Sequence, residues 1–189
     1  GSEMCKETDD RLAAYRLLLD GFHTATVPEG GLIPETNTWC GGKNWHELIT
    51  GELWDRVPNE HRKAATDSIE ASTSYEDTVP AVLCHGDFGP HNILWQGGKP
   101  SGLIDLDNAQ MGDPALDIAP LIGFHGSSAV KELCDEATLN RALVYRCLLP
   151  LKVAAAAHLC DLPGLRDHAL RNFAARGVSK TLFDPEGTQ

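Results

Sequence analysis

The chain has 189 residues, 42% of them hydrophobic and 23% charged, which suits one folded domain with its own core and argues against wholesale disorder. It carries 27 acidic residues against 16 basic ones, a net charge of −11, and no Lys/Arg cluster, so a nucleic-acid partner is not expected. No apolar run reads as membrane-spanning, and Gly1-Ser2-Glu3-Met4 lacks the pattern of a signal peptide, so no membrane partner is expected. Residues 1–4 read as a cloning remnant or an N-terminal tail, and residues 5–189 as one domain.

Residues 9–25 predict a helix, capped by Asp9 or Asp10, with Leu12, Tyr15, Leu18, Leu19 and Phe22 on one face. Residues 26–43 hold Pro28, Pro34 and four glycines and predict a loop. Short helices are expected from Asn44 to Thr50 and from Pro58 to about Ser72. The texture then changes to three short strands: Ala81–Cys84, Asn92–Trp95 and Ser101–Ile104. Gln96-Gly97-Gly98-Lys99 between the last two is a hairpin turn, because glycine tolerates positive φ. From Pro114 the pattern is helical again: a long apolar stretch over 138–160, kinked or split at Pro150, and a last helix from about Leu165 to Ala175 stopped by Gly177.

Six cysteines, at 5, 40, 84, 134, 147 and 160, form no CxxC pair and no zinc spacing. Cys84, Cys134, Cys147 and Cys160 lie in apolar or helical surroundings and read as reduced, mostly buried thiols, which points to a cytoplasmic location. The tryptophans at 39, 45, 54 and 95 read as core or interface residues rather than ligand platforms.

The chemistry concentrates in His85-Gly86-Asp87-Phe88-Gly89-Pro90-His91-Asn92, followed by Ile104-Asp105, on loops around the short strands. Phosphoryl transfer from a nucleotide needs an oriented acceptor hydroxyl relieved of its proton, and a Mg²⁺ ion to neutralise phosphate charge. That ion prefers hard oxygen ligands and takes few of them from protein. A loop carboxylate, an amide five residues later and a carboxylate just past the next hairpin form such a set. Asp87 then orients or accepts the hydroxyl proton, while Asn92 and Asp105 hold the metal. His85 reads as a structural hydrogen-bonder, His91 as an exposed spacer, and Asp113 and Asp117 as cap and loop-anchoring carboxylates.

Residues 82–119 resemble the aminoglycoside phosphotransferase and choline kinase superfamily, whose members carry H-G-D-x-x-x-x-N, then I-D, then G-D-P-x-x-D-[LI]-A. The matching residues are His85-Gly86-Asp87, Asn92, Ile104-Asp105 and Gly112-Asp113-Pro114-Ala115-Leu116-Asp117-Ile118-Ala119. The resemblance implies a mainly α fold with a small central β-hairpin, the large C-terminal lobe of a kinase-like protein. The catalytic loop would span 85–92, the metal-binding segment 104–107 and the helical remainder 114–177. It implies Asp87 as the catalytic aspartate, Asn92 and Asp105 as Mg²⁺ and nucleotide ligands, and Asp107 as a position often acidic in the family. ATP or GTP is the implied phosphoryl donor. A small molecule is the implied acceptor: an antibiotic such as an aminoglycoside, or a sugar or amino-alcohol metabolite.

Several departures sharpen that picture. There is no D-F-G or A-P-E, and the short gap from Asp105 to Gly112 has no room for an activation loop, which favours small-molecule over protein substrates. No G-x-G-x-x-G and no strand lysine precede His85, so the small N-terminal β lobe that grips the nucleotide is absent from this sequence. Gly41-Gly42-Lys43 lacks the strand and the Ser/Thr of a P-loop. The sequence therefore reads as a fragment of a phosphotransferase, weakly active or inactive alone. The alternatives are one half of a split kinase, with the small lobe on another chain, and a non-catalytic binding or scaffold module.

Overall fold

The structure, a computed structural model, describes residues 2–27 and 33–187, with side chains from residue 11 onward. Helix α1 spans Ser2–His23, beginning earlier than the expected cap at Asp9 or Asp10, and takes in the first residues after Gly1. Glutamate, methionine and lysine in that stretch are good helix formers, so no stop signal holds the helix back. Residues 28–32 of the predicted loop lie outside the described residues. The rest of that segment leads through 3-10 turns into α2 (Trp45–Glu47), which widens at Leu48–Glu52. Helix α3 (Asn59–Thr78) runs six residues past its expected end at Ser72. No glycine or proline interrupts it there, and Thr73 and Thr78 hydroxyls bond back to Ile69 O at 3.1 Å and Ser74 O at 2.7 Å.

The β element is two separate antiparallel pairs. Strands β2 (Ile93–Gln96) and β3 (Lys99–Leu103) form the predicted hairpin, turning at Gly97 and Gly98 with φ of 59° and 75°. Strand β1 (Val82–Cys84) pairs instead with β4 (Gln110–Gly112), a strand too short to show any alternation in the sequence. This pairing returns the chain beside the start of the 85–92 loop.

Helices α4 (Ala115–His125), α5 (Ser127–Val130), α6 (Glu136–Leu159) and α7 (Pro163–Val178) complete the chain. Pro150 does not split α6, which is continuous and packed against α3, α4 and α7. That packing outweighs one lost backbone hydrogen bond. By length and mean hydropathy of 1.4, α6 would suffice to cross a membrane, an exception to the expectation from the sequence, yet 61% of its most apolar window is buried within the fold. Gly177 does not stop α7 either. It gives room for the ring of His61, whose Nε2 would lie 2.4 Å from a Cβ there.

Two core clusters result. One joins Trp45, Ile49, Leu53, Ile69, Leu148, Leu151 and Phe173; the other joins Tyr15, Cys84, Phe88, Leu121, Ile122 and Tyr145. Cys40, Cys84 and Cys147 are buried free thiols and Cys134 is half-buried, but Cys160 is exposed because it sits past the last turn of α6. Trp45 is core, Trp39 and Trp54 pack against the first cluster, and Trp95 is partly exposed on the hairpin.

Candidate active site

The 85–92 loop leaves β1 at Cys84 and is fixed first through its backbone. Asp117, fully buried in the first turn of α4, accepts from His85 N at 3.0 Å through Oδ2 and from Gly86 N at 2.8 Å through Oδ1. His23, at the end of α1, lies 3.0 Å from the same Oδ2 through its Nε2. Gly86 has φ of 81°, and a Cβ there would lie 2.1 Å from Asn108 O. Only glycine lets the loop turn and pack against the 3-10 segment Leu106–Asn108.

His85 is completely buried, with Nε2 3.0 Å from Ile104 O and Nδ1 accepting from Asp87 N at 3.3 Å. It braces the end of the hairpin against the loop. Asn92 O accepts from Ile104 N at 3.0 Å, so Ile104, the residue before Asp105, is held on both sides. Asp105 takes a left-handed backbone, φ 62°, which a short polar side chain tolerates.

Asp87 and Asn92 are joined directly. Asn92 Nδ2 donates to Asp87 O at 2.9 Å and to Asp87 Oδ2 at 3.3 Å. The amide nitrogen is thereby committed, and its oxygen is the atom left for a hard cation. Asp87 is 39% exposed at its side chain, whereas Asn92 as a whole is buried. Asp107, on the Leu106–Asn108 turn, lines a cavity of about 110 Å³ with Glu35, Trp39 and Gln110.

Asp113 accepts from Ala115 N at 2.9 Å, from Arg141 Nε at 2.7 Å and Nη2 at 3.1 Å, and from Tyr145 OH at 3.2 Å. The hydrogen bond to Asp113 holds the Arg141 guanidinium above its ordinary pKa, and burial, then the Asp113 charge, pushes the Tyr145 phenol up. Arg141 and Tyr145, like His23, were not legible as partners. They sit on helices distant in sequence, and no local spacing points to them.

Among the described residues, one trio has the proximity of metal ligands: His23, Cys84 and Asp117, with ligand atoms within 4.8 Å of one another. Their chemistry argues otherwise. Burial and then the Asp117 charge push the Cys84 thiol up, and its sulfur lies 3.5 Å from Gly112 O and 3.4 Å from Asp113 O, as a protonated donor would. Both oxygens of Asp117 are already taken.

Comparison with known proteins accords with this architecture. Viomycin phosphotransferase of Streptomyces vinaceus is 29% identical over 158 residues, covering 76% of this chain and 53% of that protein. The GDP complex of aminoglycoside 2'-phosphotransferase-IIIa superposes with a TM-score of 0.76 at 15% identity, over 92% of this chain and 63% of that one. A choline/ethanolamine kinase family protein from Mesorhizobium loti gives 0.62 at 16% identity, over 92% and 64%. The two structures share the fold, which is therefore the large lobe of these kinase-like proteins. The chain spans about half the length of the curated relative it matches. A profile of the phosphotransferase enzyme family matches residues 5–151, most of the chain, and the chain belongs to that family.

Proposed function

We propose that this chain is the catalytic-loop lobe of a nucleotide-dependent phosphotransferase acting on a hydroxyl of a small molecule. One observation carries the reading: Asp87 and Asn92 are hydrogen-bonded to each other, and Ile104, the residue before Asp105, is tied to the same loop through both its N–H and its carbonyl. In this reading Asp87 orients the acceptor hydroxyl and takes its proton on a carboxylate oxygen. Asn92 Oδ1 and the Asp105 carboxylate are the atoms that would hold Mg²⁺, which, when bound with ATP or GTP, neutralises the charge on the phosphates. His85, Gly86 and Asp117 keep the loop rigid so that this geometry is ready before substrate arrives.

Exposed apolar side chains cluster where a nucleotide and a second lobe would meet this one: Leu94, Trp95, Ile104 and Leu106, on the hairpin and beside Asp105. Their exposure supports a complementary nucleotide-gripping lobe, in the same protein or on a partner. The net charge of −11 favours a cationic acceptor. Viomycin as the acceptor of the relative suggests antibiotics first.

The test is a phosphoryl-transfer assay with Mg-ATP and Mg-GTP against viomycin, aminoglycoside, sugar and amino-alcohol acceptors, with and without the complementary lobe. Transfer to an acceptor hydroxyl is expected once that lobe is supplied. No transfer to any acceptor from either nucleotide, with the complementary lobe present, would reject the proposal. Isothermal titration of Mg-ATP into this chain alone should show weak binding, and micromolar affinity would remove the need for a second lobe.

A further inference from the structure

His91 occupies a spacer position in the loop, yet it has neighbours that a spacer does not need. Its Nε2 lies 3.5 Å from Asp87 Oδ2. Its ring stands 5.5 Å from that of Phe124, tilted by 45°. Gly89 passes so close beneath that a Cβ there would come within 2.5 Å of His91 Cε1. Phe124 is 57% exposed in the last turn of α4, the helix whose first turn carries Asp117. One helix therefore braces the loop twice, through Asp117 on its backbone and through Phe124 on the His91 ring.

The Asp87 carboxylate needs such a brace. It is partly exposed on a loop, and Asn92 Nδ2, its other close partner, reaches the same Oδ2 at a long 3.3 Å. A side chain free to change rotamer loses the alignment on which proton transfer depends. We propose that His91 is a positioning residue: it donates from Nε2 to Asp87 Oδ2, is backed by Phe124, and leaves Oδ1 to meet the acceptor hydroxyl. The inference rests on the assignment of Asp87 as the group that takes the acceptor proton. At 3.5 Å the contact is longer than a formed hydrogen bond. Contacts of this kind are commonly long in unliganded sites and tighten when substrate is bound.

Two measurements test it. Long-range ¹H–¹⁵N correlation of the histidine rings in this chain should show His91 with its proton on Nε2. That resonance should move in Asp87→Ala and, to a smaller extent, in Phe124→Ala. A resonance indifferent to Asp87→Ala in a folded chain overturns the proposal, whether or not transfer is seen. In the transfer assay, His91→Ala should lower kcat about 10-fold, with acceptor KM changed by less than about 2-fold. His91→Gln, whose amide N–H reaches the same place, should recover most of that loss. A change in KM alone, no change, or no recovery by glutamine overturns the positioning role. If Asp87→Ala itself leaves turnover intact, the assignment of Asp87 fails; if it abolishes turnover while His91→Ala does not, only the role of His91 fails.

Discussion

Five aspartates lie within the segment from 87 to 117, and four of them divide into two pairs. Asp113 and Asp117 are buried, and their oxygens are filled by backbone amides, Arg141, Tyr145 and His23. Asp87 and Asp105 stand on loops where solvent reaches them, with Asp87 held by long contacts to one oxygen. A carboxylate whose hydrogen-bonding capacity is exhausted inside the protein can only hold structure. One that keeps capacity at an accessible surface can bind a cation or take a proton. The two pairs should therefore respond oppositely to substitution.

The largest effect is expected at Asp87. Asp87→Asn should lower turnover by roughly 10² to 10⁴ while leaving the melting temperature nearly unchanged. Near-normal turnover in that variant would erase the distinction between the pairs. The reverse is expected at Asp113, where Arg141→Ala leaves a buried carboxylate without its cation. It should cost about 3–5 kcal/mol of stability in denaturant unfolding, and a loss well under 1 kcal/mol would show that Asp113 is not structural.

Between these limits, Gly86→Ala tests whether the loop depends on its backbone. The left-handed turn and the approach to Asn108 O should make it cost roughly 2 kcal/mol in unfolding and reduce turnover together. Unchanged stability and activity would show that the turn tolerates a side chain. The smallest effect concerns His125, whose pKa is lowered by burial and then by the Arg11 charge. Its folded value lies below its unfolded one, so the folded state binds fewer protons. It costs nothing above the unfolded pKa, and stability falls as pH drops from there through the folded pKa. His125→Phe should lessen the fall in melting temperature between pH 7 and 5 by about 1–2 °C. An equal fall in both proteins would assign acid sensitivity elsewhere.

The hairpin, the helical remainder and the placement of residues 85, 87, 92 and 105 on loops and turns were legible in the sequence because each depends on local chemistry. Two glycines turn a hairpin, apolar periodicity builds a helix, and a short loop fixes the spacing of Asp87 and Asn92. The third dimension decided what joins them. Strand β4 finds β1 across the intervening hairpin, and α6 stays whole through Pro150 because neighbouring helices pack along it. His23 reaches Asp117 across 94 positions, Arg141 reaches Asp113 across 28, and Phe124 comes to rest on His91. Local chemistry could nominate the carboxylates; only packing, which sets who is buried and who is already bonded, separated those that hold the loop from those left available for chemistry.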